Sequence, residues 1–90
     1  MNQTDLIKEF INGASSGEVG NAKIQDDQFI HFSTPMIERY KDKYIVNVSR
    51  YSDVTRFLQR KINSIIPEDK KIIVEKVQWD YNGRLKDLIK

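Results

Sequence analysis

Ser52 and Pro67 bracket an apolar-periodic stretch in the middle of this chain, and a strand-like run comes just before it. Together they make the segment Lys43–Pro67, KYIVNVSRYSDVTRFLQRKINSIIP, which reads as strand, cap and amphipathic helix in succession. Tyr44-Ile45-Val46-Asn47-Val48 is rich in β-branched and aromatic residues, as strands are. Alternation puts Tyr44, Val46 and Val48 on one face, expected to be the core side, and Ile45 and Asn47 on the other. Ser52 is the expected N-cap, because its hydroxyl can accept from a free first-turn N–H. Asp53 follows at the positive end of the helix dipole. At about 100° per residue, Val54, Phe57, Leu58, Ile62, Ile65 and Ile66 form one stripe centred near Leu58 and Ile65. Arg56, Gln59, Arg60 and Asn63 lie opposite, and Lys61 sits at the stripe's edge. Pro67 ends the helix by forcing the preceding residue out of α geometry.

The charge is uneven along the chain. Residues 1–33 carry two lysines against five acids, residues 34–66 seven basic against three acidic residues, and residues 67–90 six against five. The net +2 therefore hides an acidic first third and a basic centre. Arg50, Arg56, Arg60 and Lys61 face only Asp53 in the central stretch. A general nucleic-acid binder usually shows a stronger basic balance than this.

Around the central unit, TDLIKEFIN (4–12) reads as a short helix capped by Thr4 and ended by Asn12-Gly13. Residues 13–22 hold three of the four glycines and read as a flexible loop. Gln28–Ser33 is an expected strand. Thr34-Pro35 then marks a bulge, an edge or a corner. Residues 36–49 read as a hairpin turning at Lys41-Asp42-Lys43, with Met36, Glu38 and Tyr40 on one face. Lys71–Trp79 reads as a strand whose apolar start suggests burial on both sides, as in a central strand. A last helix is expected over 83–90, capped by Asn82. The order is α-β-β-β-α-β-α: an α+β fold with one sheet of three to four strands packed by helices, in a single domain over 1–90. The helix after Lys43–Val48 is long enough to act as a right-handed crossover, making a parallel pair with the last strand.

The residue inventory offers little to catalysis. There is no cysteine, and one histidine alone builds no plausible zinc site. No cofactor or metal is expected. Gly17-Glu18-Val19-Gly20 lacks the Gly-Lys-Ser/Thr ending of a P-loop. His31 is open to two readings: a general acid or base working with Asp26 or Asp27, or a half-buried strand residue. Trp79 and Tyr81 are likewise either interface anchors or residues that close the end of the core. No apolar run reaches the length of a membrane span, and no basic-then-apolar leader opens the chain. The absence of cysteine suits a cytoplasmic setting.

Phe32-Ser33-Thr34-Pro35-Met36-Ile37, then Tyr44, Val46-Asn47-Val48, Tyr51-Ser52-Asp53-Val54-Thr55 and Gln59, resemble a known pattern. They resemble the small uncharacterised proteins encoded by phages and mobile elements of Gram-positive bacteria, over about residues 32–60. That resemblance implies work by binding, such as blocking a host defence nuclease, redirecting a host enzyme or controlling transcription.

The expected function is non-enzymatic: inhibition or modulation of a host protein in the host cytoplasm, as by an anti-CRISPR or other anti-defence inhibitor. The target could be a nucleic-acid-processing complex. The expected contact residues are Arg50, Tyr51, Arg56, Gln59, Arg60 and Asn63. The alternative is a nucleic-acid-binding regulator, with the arginines on phosphates and Gln59 or Asn63 on bases. A homodimer through an exposed strand edge is compatible with either reading.

Overall fold

The computed structural model describes residues 2–89. Two helices pack on a six-stranded mixed sheet, so the α+β class stands, with more strands than expected. The elements run α1 (Gln3–Ile11), β1 (Ser16–Val19), β2 (Ala22–Gln25), β3 (Gln28–His31), β4 (Thr34–Tyr40), β5 (Lys43–Asn47), α2 (Asp53–Ile65) and β6 (Lys71–Val74). The strands neighbour one another in chain order. β1 to β5 form an antiparallel meander, and α2 carries the chain across to β6, which pairs parallel with β5. The expected parallel pairing of the strands on either side of α2 is therefore present.

Four two-residue turns build the meander: Gly20-Asn21, Asp26-Asp27, Phe32-Ser33 and Lys41-Asp42. Gly20, Asp26, Phe32 and Lys41 all have φ between 51° and 58°. A positive φ lets so short a turn follow the twist of the strands it joins. The turn at 41–43 is thus one residue shorter than expected. The supposed flexible loop at 13–22 is β1 and the start of β2. Gly17 has no side chain because α1 lies against it: a Cβ there would come within 2.8 Å of Leu6 Cδ1.

At the β3–β4 junction, Phe29 pairs with Ile37 while Ile30 pairs with Pro35. Met36 is the extra residue of a bulge, which accommodates the proline that a regular ladder would reject. The bulge also resets alternation. Met36 joins Ile37 in the helix-side core, while Glu38 points through the other face, so Met36, Glu38 and Tyr40 do not share a face.

The helix-side core includes Leu6, Ile7 and Phe10 of α1, Ile24, Phe29, Ile37 and Val46 of the sheet, and Leu58, Ile62 and Ile66. α1 is capped by Asn2 rather than Thr4. The Asn2 side chain accepts from Asp5 N at 2.8 Å, and the Asp5 carboxylate faces Asn2 N, closing a capping box. Arg39 fastens the C-terminal end of α1. Its guanidinium lies 4.0 Å above the Phe10 ring and donates to the carbonyls of Phe10 and Ala14.

A second, smaller core of Ile45, Val74, Val77 and Leu85 lies on the opposite sheet face. β5 is therefore the strand buried on both sides, with Ile45 facing one core and Val46 the other. β6 is outermost and stops at Val74, and Ile73 is exposed, which corrects the reading of 71–79 as a central strand. Lys76 has φ 59° and turns the chain off the sheet edge, so Val77 can enter the second core. The expected 83–90 helix is a single 3-10 turn at Leu85–Leu88, and Lys90 lies outside the described residues.

Candidate partner-binding surface

The chain has five arginines, and the fold uses them in two ways. Arg39 and Arg84 are internal braces: Arg39 ties α1 to the sheet, and Arg84 lies against Asp27 and Glu38. Arg50, Arg56 and Arg60 are exposed, and none has an ion-pair partner among the described residues. All three lie on one continuous surface at the C-terminal end of β5 and along α2.

A hydrogen-bond network under that surface fixes it. The Asn47 amide donates to Pro35 O and to the Tyr51 hydroxyl, and its oxygen accepts from Ser49 N at 3.0 Å. Tyr51 in turn donates to Val77 O at 2.6 Å, and Ser49 Oγ accepts from Val77 N at 2.8 Å. Gln59 donates to both Asn47 O and Ser49 O, each at 2.9 Å. Both neighbours of Arg50 are thus tied into the fold while Arg50 projects outward.

Three shallow depressions meet here. Val48, Arg56, Gln59, Arg60 and Asn63 line one of about 230 Å³. Val48 and Arg50 also line a second, beside Lys76 and Val77. Arg50 and Tyr51 line a third, of about 420 Å³, with Phe32, Ser52, Thr55 and Trp79. Across all three, the only carboxylate in the lining is Glu75.

All six expected contact residues fall on this surface, but not all are free. Gln59 is buried, with its amide committed to the backbone, because the buried face of α2 is Thr55-Leu58-Gln59-Ile62. That face is rotated from the apolar stripe, and Val54 and Phe57 are left 65% and 63% exposed. Two polar side chains lie inside because each finds hydrogen-bond partners there. Asn63 is exposed, but its Oδ1 accepts from Lys71 Nζ at 2.6 Å. The Tyr51 hydroxyl is used internally, and only its ring faces the third depression.

The residues the sequence did not single out are Phe32 and, as a settled exposed position, Trp79. They are 51% and 71% exposed, so Trp79 does not close the core; Tyr81 and Leu85 do that work. Phe32 and Ser33 both have positive φ, at 51° and 71°. For residues with a side chain this costs on the order of 1 kcal/mol each. Thr34 Oγ1 donates to the Trp79 carbonyl and holds the tail against this turn.

His31 lies beneath Phe32 and is 1% exposed. Its Nδ1 is 3.3 Å from Thr55 Oγ1, its Nε2 is buried without a partner, and burial holds its pKa below the usual histidine value. Asp26 and Asp27 sit at the opposite end of β3, so the acid–base pairing read from the sequence is not assembled. No group of three or more potential ligands that could hold a metal occurs among the described residues, and none of their helices is long and apolar enough to cross a membrane. Comparison with known proteins finds no matching family model, curated protein or solved structure.

Proposed function

We propose that this chain is a small non-enzymatic binding protein of phage or mobile-element type. It inhibits or modulates a host protein in the host cytoplasm, in the manner of an anti-CRISPR or other anti-defence inhibitor. The observation that carries this reading is the surface shared by Arg50, Arg56 and Arg60, three exposed arginines with no ion-pair partner among the described residues, beside exposed Trp79 and Phe32. Arginine and tryptophan are enriched among the residues that dominate protein interfaces. A guanidinium fork pairs two-pronged with a carboxylate, so the matching partner surface is acidic.

The nucleic-acid alternative loses its base readers. Gln59 is internal and Asn63 is engaged by Lys71, which leaves the helix face with phosphate contacts only. Such contacts position a protein without reading sequence.

The test is affinity capture from host lysate, with and without nuclease, using the wild-type chain and an Arg56→Glu/Arg60→Glu variant. A protein that survives nuclease and is lost with the double reversal supports the proposal and names the target. Capture indifferent to the reversal overturns the placement. Capture abolished by nuclease, with binding that falls steeply with salt, overturns the protein-partner reading in favour of nucleic acid.

A further inference from the structure

α2 has a second exposed face, separate from the arginine surface. Asp53, Val54, Phe57, Leu58 and Lys61, with Gln3 from α1 at the rim, line an open depression of about 460 Å³. Leu58, 2% exposed, is its floor, and Val54 and Phe57 stand largely in solvent. Two bulky apolar side chains side by side on one helix are a reason to ask what covers them.

The charges answer that question. Asp53 and Lys61 stand four residues either side of Phe57, so they flank the apolar centre at opposite ends of one helix face, each about 6 Å along the axis from it. Lys61 already lies over the patch, with Nζ 5.0 Å from the Phe57 ring centroid. A two-fold interface uses the same patch on both subunits, so the patch must complement itself. This one does. An antiparallel pair of α2 helices with the axis at Phe57 stacks the two Phe57 rings. It also sets Asp53 of each copy against Lys61 of the other. The opposed helix dipoles run in the favourable sense.

We infer that the Val54–Phe57 face of α2 is a homodimer interface and that its occupant is a second copy of this chain. A parallel arrangement would place Asp53 beside Asp53 and Lys61 beside Lys61. Six residues line the depression, against about 20–30 a side in a standard interface, so the dimer is weak and concentration-dependent. The arginine surface stays open in the dimer, because Arg56 and Arg60 lie toward Val48 rather than in this depression.

Sedimentation equilibrium on the full chain tests this with Asp53→Lys, Lys61→Glu, the double reversal and Phe57→Ser, with circular dichroism checking helicity. The wild-type chain is expected to dimerise. Either single reversal should weaken association about tenfold, since each change counts twice in a symmetric pair. The double reversal should restore it, and Phe57→Ser should abolish it. Phe57 and Lys61 lie on the surface, so Phe57→Ser and Lys61→Glu decide the matter even if Asp53→Lys disturbs the helix start. A chain that stays monomeric to about 1 mM overturns the inference, since specific association weaker than that is marginal. So does a dimer indifferent to the single reversals, which would place the contact on a strand edge, and so does failure of the double reversal to restore association. None of these results bears on capture through Arg56 and Arg60, so the two proposals fail independently.

Discussion

Glu38 Oε1 lies 2.7 Å from the backbone nitrogen of Leu85, forty-seven residues further along the chain, while Oε2 takes the amide of Lys86 at 3.0 Å. Glu38 is fully buried and also accepts from Gln28 Nε2 at 2.8 Å, with Arg84 Nε 3.4 Å away. One carboxylate on β4 therefore pins the C-terminal tail over the second sheet face.

Replacing Glu38 by Ala leaves the Leu85 and Lys86 amides without their acceptor and Arg84 with Asp27 alone. A loss of about 2–4 kcal/mol is expected, because buried donors lose their acceptor. Urea denaturation gives the total, and hydrogen exchange should show the Leu85 and Lys86 amides losing protection before those of β3 and β4. Uniform loss of protection would mean that the tail and sheet unfold as one unit.

His31 makes stability depend on pH. Its pKa is lowered in the folded chain by burial, so below the ordinary value of 6.5 the unfolded chain binds a proton that the folded chain resists. Stability is then fully present above that value and falls on acidification, by at most about 1.4 kcal/mol per pH unit. Thermal melts from pH 7.5 down to 5 should show this slope, and His31→Gln should flatten it.

Gln59 and Arg60 are neighbours with opposite expected behaviour. Gln59→Ala removes two buried hydrogen bonds and should destabilise by about 2–3 kcal/mol. Arg60→Ala should stay within about 0.5 kcal/mol of wild type while weakening partner capture. Equal stability losses for the two would contradict the assignment of one to the fold and the other to the surface.

The Phe32-Ser33 turn should tolerate glycine better than serine. Ser33→Gly removes the Cβ that disfavours φ 71° and should raise stability by about 1 kcal/mol. Trp79→Ala should leave the melting temperature nearly unchanged, because the indole is in solvent, yet reduce partner affinity. A fall in melting temperature with unchanged capture would remove Trp79 from the interface.

Much of α2 was legible because Ser52 and Pro67 act as chemical stops, whatever packs around them. Its buried face was not, because periodicity counts apolar residues, and Thr55 and Gln59 are buried through hydrogen bonds that the sequence does not display. β1 and β2 escaped because three glycines resembled a loop. Gly20-Asn21 between Val19 and Ala22, followed by the alternation Ala22-Lys23-Ile24-Gln25, was the hairpin signal available. Of the surface, the arginines could be named from charge alone. Phe32 could not, and Trp79 was left between interface and core, because their exposure depends on a strand register and on the left-handed turn at Lys76.

The meander also sets an order of events during synthesis. β1 to β5 are joined by two-residue turns, so their contacts are local and form in the fast regime of hairpin closure. The Glu38 latch must wait until Leu85 has left the ribosome. Until then Ile45 and the outer face of β5 are uncovered, on a sheet whose β5 edge has no neighbour before β6 arrives. The nascent chain thus passes through a state with an open apolar face and an unpaired strand, the species on which chaperones and aggregation compete. Truncation before Lys71 would make that transient state permanent.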